Sequence, residues 1–194
     1  MDLLGLAFTS GWTSGINAYA TVLILGLLGR FAGVEEVPLG LQRTDVLIAA
    51  GVLTVVEFVA DKIPYVDSIW DVVSTIVRPI AGAVVGVLLA GGQGDLATIT
   101  LAVVGGSTAL VSHLVKASLR LAINTSPEPA SNIAASVAGD LSVATVTTLA
   151  VLNPLPAAII AGVLLLAGIV LTVAVLSRVR RGWRIFRRWL LRPA

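Results

Sequence analysis

The sequence predicts an all-α membrane protein with about six transmembrane helices. Of its 194 residues, 57% are hydrophobic and 12% are charged, and the mean hydropathy is +0.98. A soluble domain carries about 25% charged residues, and a membrane span needs about 20 apolar residues. The chain therefore has room for six spans and for no sizeable soluble domain. It has no cysteine, which argues against a disulfide framework, and only one histidine, which argues against a zinc or copper site.

The first two hydrophobic segments cover residues 6–31 and 45–60. The first opens with small and polar residues between Thr9 and Asn17, a composition typical of a helix that is broken or that lines a cavity. The second is short and carries Glu57 near its end.

The third segment begins near residue 66 and contains the dipeptide Arg78-Pro79. Proline removes a backbone hydrogen bond and disfavours helix at the residue before it. We therefore expect a break at this point, with an amphipathic half-helix before it and an apolar half over 80–90.

The last three segments cover 96–121, 131–151 and 157–176. The fourth exceeds a hydrocarbon core of about 30 Å, so we expect it to tilt or to project. The fifth carries a polar stripe at intervals of four, and the sixth is uniformly apolar. The stripe consists of Asn132, Ser136 and Asp140.

Charged residues lie inside these segments, and they share helix faces. One set is Asp67, Asp71 and Arg78; the other is His113, Lys116 and Arg120. A charge at the bilayer centre costs about 2.5–3.5 kcal/mol on insertion scales, so such residues must pair, face water or bind a polar ligand. We expect them to form a charged centre within the membrane. The candidate substrate-binding or ion-binding residues are Glu57, Asp71, Arg78, His113, Lys116, Arg120, Asp140 and Asn17.

Residues close to the loops have a simpler interpretation. Asp61, Lys62 and Asp67 are expected in water at the membrane interface, where they would only set topology. His113 is expected to hydrogen-bond a neighbouring helix, with a role as a pH switch as the alternative. Asp140 either binds a proton or donates to a backbone carbonyl as a neutral acid.

The basic residues are concentrated at the C-terminal end. Seven of the thirteen follow Ser177, and basic flanks remain in the cytoplasm. With six spans, both termini would face the cytoplasm of a bacterial plasma membrane. Residues 1–177 would form one transmembrane domain, and 178–194 a basic amphipathic helix on the inner leaflet that binds anionic lipids. Its lipid-facing arginines would be Arg180, Arg181, Arg184, Arg187 and Arg188.

The two halves of the chain, 1–92 and 93–177, show a weak internal similarity. The string from Gly11 to Ile16 aligns with the string from Gly105 to Leu110. Three spans per half would insert the halves in opposite orientations, as in many transporters. The alternative is that two helices rich in small residues resemble each other by composition alone.

Four strings carry a family resemblance. They are Gly15-Ile16-Asn17-Ala18-Tyr19, the stretch from Glu57 to Asp67, Val77-Arg78-Pro79-Ile80-Ala81-Gly82-Ala83, and His113-Leu114-Val115-Lys116-Ala117. In them the chain resembles the bacterial membrane family known as domain of unknown function 4126. The resemblance implies a multi-span membrane protein and brings no activity. The family's usual arginine after the first glycine is replaced here by Asn17.

These patterns favour a transporter or channel-like protein that moves a small polar solute or ion. One alternative is a flippase or scramblase for an anionic lipid such as a polyprenyl phosphate; another is an accessory subunit without transport activity. We expect no enzyme, because the string Gly92-Gln93-Gly94-Asp95 falls in a turn and no other catalytic motif occurs. No cofactor, metal or nucleic-acid partner is expected, and homo-oligomer formation is left open.

Overall fold

The computed structural model of the chain describes residues 2–63, 65–124 and 129–190, with the backbone alone at 129, 179 and 182–190. These residues form helices and turns, and they contain no strand. The all-α prediction is therefore confirmed. The six helices are α1 (Leu3–Ala32), α2 (Thr44–Ala60), α3 (Val66–Ala90), α4 (Asp95–Ile123), α5 (Pro129–Leu152) and α6 (Pro154–Leu190).

Five of these helices are long and apolar enough to cross a membrane: α1, α3, α4, α5 and the Pro154–Arg178 part of α6. The remaining helix, α2, has 17 residues, which extend about 25 Å at 1.5 Å per residue. Many large apolar side chains remain exposed along these helices, including Ile69, Val72 and Leu166. Because such surface is stable only in an apolar solvent, the chain is a multi-pass membrane protein.

The helices α3 and α4 form an antiparallel pair that is packed through glycines. A Cβ atom added at Gly82 would meet the backbone of Gly105, and one added at Gly86 would meet the backbone of Leu101. Small residues of this kind let helix backbones approach closely in membranes, where no hydrophobic effect drives the helices together. This pair carries most of the charged residues of the protein interior.

The path of α1 changes direction at Asn17. This residue leaves helical geometry for the extended region, with φ −151° and ψ 98°. Before it, the helix runs parallel to α4, because Gly11 packs on Gly105 and Gly15 packs on Ala109. The prediction of a broken or cavity-lining segment between Thr9 and Asn17 is therefore confirmed.

After Asn17, the second half of α1 runs parallel to α3. Tyr19 contacts Trp70, with ring centroids 6.4 Å apart. Gly26 packs on Leu41, and the adjacent Gly40 packs on Leu88 at the far end of α3. Because α3 and α4 are antiparallel, the two halves of α1 run in roughly opposite directions. The first helix is thus a hairpin that enters and leaves the bundle at the same end.

This hairpin changes the predicted topology. Gly5, near the start of α1, lies against the backbone of Pro154 in the α5–α6 turn, whereas α6 continues to the opposite end of the bundle. The start of α1 and the end of α6 therefore lie at opposite ends of the bundle, whereas the sequence pattern predicts both termini on one side of the membrane. The cause is that α1 turns back at Asn17, which no length or hydropathy count can detect.

The predicted break at Arg78-Pro79 is also absent, because α3 passes through both residues as one helix. Proline removes only one backbone hydrogen bond. The chain on both sides of it is held to α4, by Arg78 against His113 and by Gly82 against Gly105. The break predicted in α3 lies in α1 instead.

Two further expectations differ from the structure. The internal similarity pairs Asn17 with Val111. At these positions α1 turns back whereas α4 continues as one helix, so the two aligned segments have different backbone structures. The basic stretch after Ser177 is not a separate helix, because α6 continues through it to Leu190. Among its described side chains, Arg178, Arg180 and Arg181 are exposed; those of Arg184, Arg187 and Arg188 lie outside the described part.

Candidate functional site

The break in α1 frees backbone oxygens in the middle of the bundle. The side chain of Asn17 accepts a hydrogen bond from the N–H of Ala20 at 2.9 Å, so it caps the second half of the helix. In an unbroken helix that N–H would donate to the carbonyl of Ile16. The freed carbonyl of Ile16 accepts from Lys116 at 2.7 Å, and that of Gly15 accepts from Arg78 at 3.2 Å. Both cations also meet the negative end of a helix dipole.

Arg78 joins three other helices at one point. Its side chain is 1% exposed. One terminal nitrogen donates to Glu57 of α2 at 2.6 Å. The other lies 2.6 Å from His113 of α4 and donates to Gly15 of α1. The planar guanidinium offers five donors in a fixed geometry, which suits it to such a junction.

These contacts fix the tautomer of His113. Arg78 has only donors, so Nδ1 of His113 must accept from it across 2.6 Å. The other ring nitrogen, Nε2, then carries the hydrogen and donates to Thr75 at 2.9 Å. The hydroxyl of Thr75 in turn donates to the carbonyl of Asp71. His113 is therefore a neutral link between helices, as the simpler interpretation of the sequence expected.

A second group of ion pairs lies around Asp61, at the end of α2. Its two carboxylate oxygens accept from Lys116 and from Arg120, each at 2.7 Å. Lys116 also lies 3.5 Å from Glu57, which connects this group to Arg78. Charge-assisted hydrogen bonds of this geometry are about twice as strong as neutral ones.

Two acidic residues that we expected in water are buried instead. Asp61 is 1% exposed and Asp67 is 0% exposed. Asp67 accepts from the side chain of Asn124 at 3.0 Å and lies 3.5 Å from Arg120. Closeness to a loop misled the interpretation, because the carboxylates of Asp61 and Asp67 point inward to Arg120 even though Ile63 and Tyr65 between them are exposed. The helical spacing of Asp67, Asp71 and Arg78 would have identified Asp67 as an interior residue.

Lys62 and Asp140 form a separate pair beside this centre. The ammonium of Lys62 lies 3.5 Å from Asp140, and both side chains are about one-fifth exposed. Lys62 is thus half-buried instead of standing in water. It also donates to the carbonyl of Phe58 at 3.0 Å. Asp140 therefore has a cationic partner, and it belongs to the edge of the centre.

The charged centre, as we name it, comprises Glu57, Asp61, Asp67, Asp71, Arg78, His113, Lys116 and Arg120. The structure places six of the eight candidate residues from the sequence in this centre, with Asn17 supplying the break in α1 and Asp140 at the edge. It adds Asp61 and Asp67 as interior residues. Within the described residues, no group of three acidic or histidine side chains is arranged to hold a metal ion.

A cavity of about 250 Å³ adjoins the charged centre between α1, α4, α5 and α6. Lys116 and Arg120 line it on one side, and Asp140 and Ser136 line it on the other. The rest of the wall is apolar. Its apolar members include Trp12, Ile16, Val115, Leu119, Leu164 and Leu165. The cavity can therefore hold a molecule with a polar part at the cations and an apolar part along α6.

Comparison with known proteins gives a family for the chain. A family model described as a domain of unknown function, DUF4126, matches residues 4–174. The chain belongs to this family. No curated protein and no solved structure matches it. The DUF4126 region contains the whole charged centre and the cavity, and it ends inside α6.

Proposed function

We propose that this DUF4126 protein is a membrane transporter that carries a small polar solute or ion past the charged centre. The observation that carries the proposal is the break at Asn17, where the freed carbonyls of Gly15 and Ile16 face Arg78 and Lys116. Broken helices near the midplane form the binding sites of many transporters, because half-helix ends and unwound carbonyls bind charged groups there.

The substrate would enter the adjoining cavity, where Lys116 and Arg120 supply positive charge and Asp140 supplies negative charge. A small solute with both polar donors and acceptors fits this lining. The arginines at the end of α6 support an orientation in which that end is cytoplasmic. The α2–α3 link would then also be cytoplasmic, and the N-terminus external, in a bacterial plasma membrane.

Flux into proteoliposomes tests this function, with inorganic cations, inorganic anions and small carboxylates as probes. We expect one class of probe to enter with the parent protein. Lys116→Met should abolish that flux, and Asp140→Asn, at the edge of the centre, should reduce it. Arg43→Met is the control, because Arg43 pairs with Asp45 on the exposed surface. Equal flux in all four proteins would contradict the proposal.

An anionic lipid is the second candidate substrate, and the apolar wall of the cavity favours it. Val115, Leu119 and Leu164 would contact an acyl or polyprenyl chain while Lys116 and Arg120 bind the headgroup phosphate. Movement of a labelled anionic lipid between leaflets, abolished by Lys116→Met with solute flux at background, would favour this candidate. A parent protein that is inactive in both assays would favour an accessory subunit.

A further inference from the structure

The charged centre contains more acidic than basic side chains. Its four carboxyl groups belong to Glu57, Asp61, Asp67 and Asp71, and its three cations are Arg78, Lys116 and Arg120. His113 is neutral, because its Nδ1 accepts from Arg78. If every carboxyl were ionised, the centre would carry one uncompensated negative charge. A buried charge without a partner costs several kcal/mol and is normally removed by binding a proton.

The hydrogen bonds show which carboxyl group is least compensated. Both oxygens of Asp61 accept from cations at 2.7 Å. Asp67 accepts from Asn124 and from the N–H of Ser68. Glu57 accepts one strong bond from Arg78 at 2.6 Å and lies 3.5 Å from Lys116, so its charge is compensated although its Oε2 has no hydrogen-bond partner. These three groups are thus stabilised as carboxylates.

Asp71 differs from the other three, because no described residue donates a hydrogen bond to its carboxyl group. Its nearest cation is Arg78, at 3.3 Å, but this contact is not a hydrogen bond, and Oδ1 has no hydrogen-bond partner. Arg120 lies 3.9 Å away, and its close nitrogen already donates to Asp61. The residue is 5% exposed, so little water can replace the missing donors. A neutral carboxylic acid fits this position better than an anion does.

We infer that Asp71 carries a proton in this state and is the proton-binding residue of the charged centre. The bound proton removes the one excess negative charge of the centre. If Asp71 released this proton, Arg78 and Arg120 would have to compensate the carboxylate that forms. The groups that surround Asp71 are Tyr19 on α1, Glu57 and Asp61 on and after α2, Asp67 and Arg78 on α3, and His113, Lys116 and Arg120 on α4.

A proton at this position would give the proposed transporter a coupling ion. Asp71 is linked through Thr75 and His113 to Arg78, which contacts the carbonyl of Gly15 beside the break. Deprotonation of Asp71 would attract Arg78 toward the new carboxylate. The hydrogen bond from Arg78 to the carbonyl of Gly15 would then weaken. This use of the proton rests on the proposed function, whereas the location of the proton does not.

Infrared spectroscopy of the purified protein at neutral pH tests the location directly. We expect a carboxylic-acid C=O band that shifts in D2O, that disappears in Asp71→Asn and that persists in Glu57→Gln. The control is Asp95→Asn, since Asp95 is exposed at the start of α4. Labelling the parent protein with isotopic aspartate should shift the same band, so the assignment does not depend on a variant. Absence of the band, or its loss in Glu57→Gln alone, would overturn the inference.

Thermal melting gives an independent check that needs no substrate. Because Asn mimics a neutral Asp, Asp71→Asn should melt near the parent temperature. Asp61→Asn should melt clearly lower, since it leaves Lys116 and Arg120 without their shared carboxylate. Equal losses in the two variants would mean that Asp71 is an anion. An infrared band at Asp71 without any measurable flux would sink the transport proposal and leave the proton site standing.

Discussion

Arg78 connects α3 to three other helices in the interior of the protein. It is fully buried and contacts Glu57, Gly15 and His113 on three different helices. An arginine in that place is expensive to desolvate, and it is tolerated only because each of its terminal nitrogens has a partner. Its neighbours are in turn oriented by it, as the tautomer of His113 shows.

Replacing Arg78 by Met should lower the stability of the purified protein by about 3–5 kcal/mol, because it leaves Glu57 buried without its cation. Thermal melting in detergent measures the change. Arg43→Met removes an arginine from an exposed pair with Asp45 and should leave the melting temperature unchanged. If both variants melt together, Arg78 does not hold the helices as described.

The residues of the charged centre were largely predictable from sequence, and their partners were not. Helical spacing placed Asp71 and Arg78 on one face and Lys116 and Arg120 on another, and the cost of burying charge required that they meet. Spacing along one helix says nothing of which residue on another helix lies opposite. The burial of Asp61 and Asp67 was missed because both lie next to a loop, although the helical spacing of Asp67 pointed to the interior.

At the scale of the element, glycine positions decide how closely the helices pack. Gly105 lies where α1, α3 and α4 meet, with Gly11 on one side and Gly82 on the other. Gly51 of α2 has only Leu23 nearby, at 3.9 Å. The same residue type thus has different consequences at the two positions.

Gly105→Ala should destabilise the protein by about 1–3 kcal/mol, because the added methyl group overlaps the carbonyl of Gly82. Gly51→Ala should be neutral or stabilising by up to about 1 kcal/mol, since alanine favours helix and has space there. Melting curves of the two variants make the comparison. A stabilised Gly105→Ala protein would mean that α3 and α4 are further apart than described.

Hydropathy predicted the helices themselves, and the sequence also suggested two helix breaks. One of these is present, at Asn17, and the other is absent, at Pro79. The polar composition between Thr9 and Asn17 correctly indicated an irregular first helix. The break predicted at Pro79 is absent, because proline disfavours helix only locally and the tight packing of α3 on α4 overrides that effect. A break is decided by whether the freed backbone groups find partners, and at Asn17 those partners come from α3 and α4.

For the whole molecule, the hairpin of α1 determines which ends lie together. The start of α1 lies beside the α5–α6 turn, at the same end as the α3–α4 turn. The last turns of α6 lie at the other end. The start of α1 and the end of α6 thus lie at opposite ends of the described bundle, although the sequence contains six hydrophobic segments.

Single cysteines provide the test, and the absence of native cysteine makes them simple to introduce. Cysteines at Asp2 and Asp95 should react with an impermeant thiol reagent from one side of the membrane. A cysteine at Arg181 should react only from the other side. Reaction of the Asp2 and Arg181 positions from the same side would contradict the hairpin.

The folded-back first helix also has a consequence for the order of assembly. Its inner face carries Ser10, Ser14 and Asn17, all buried against neighbouring helices. The carbonyls freed at its break accept hydrogen bonds from Arg78 and Lys116, which are synthesised later. During synthesis, this segment emerges before every residue that completes it. We expect it to remain outside the hydrocarbon core until α4 is in place. A cysteine at Ser14 should be labelled in chains that stop after α2 and be protected in chains that extend beyond α4.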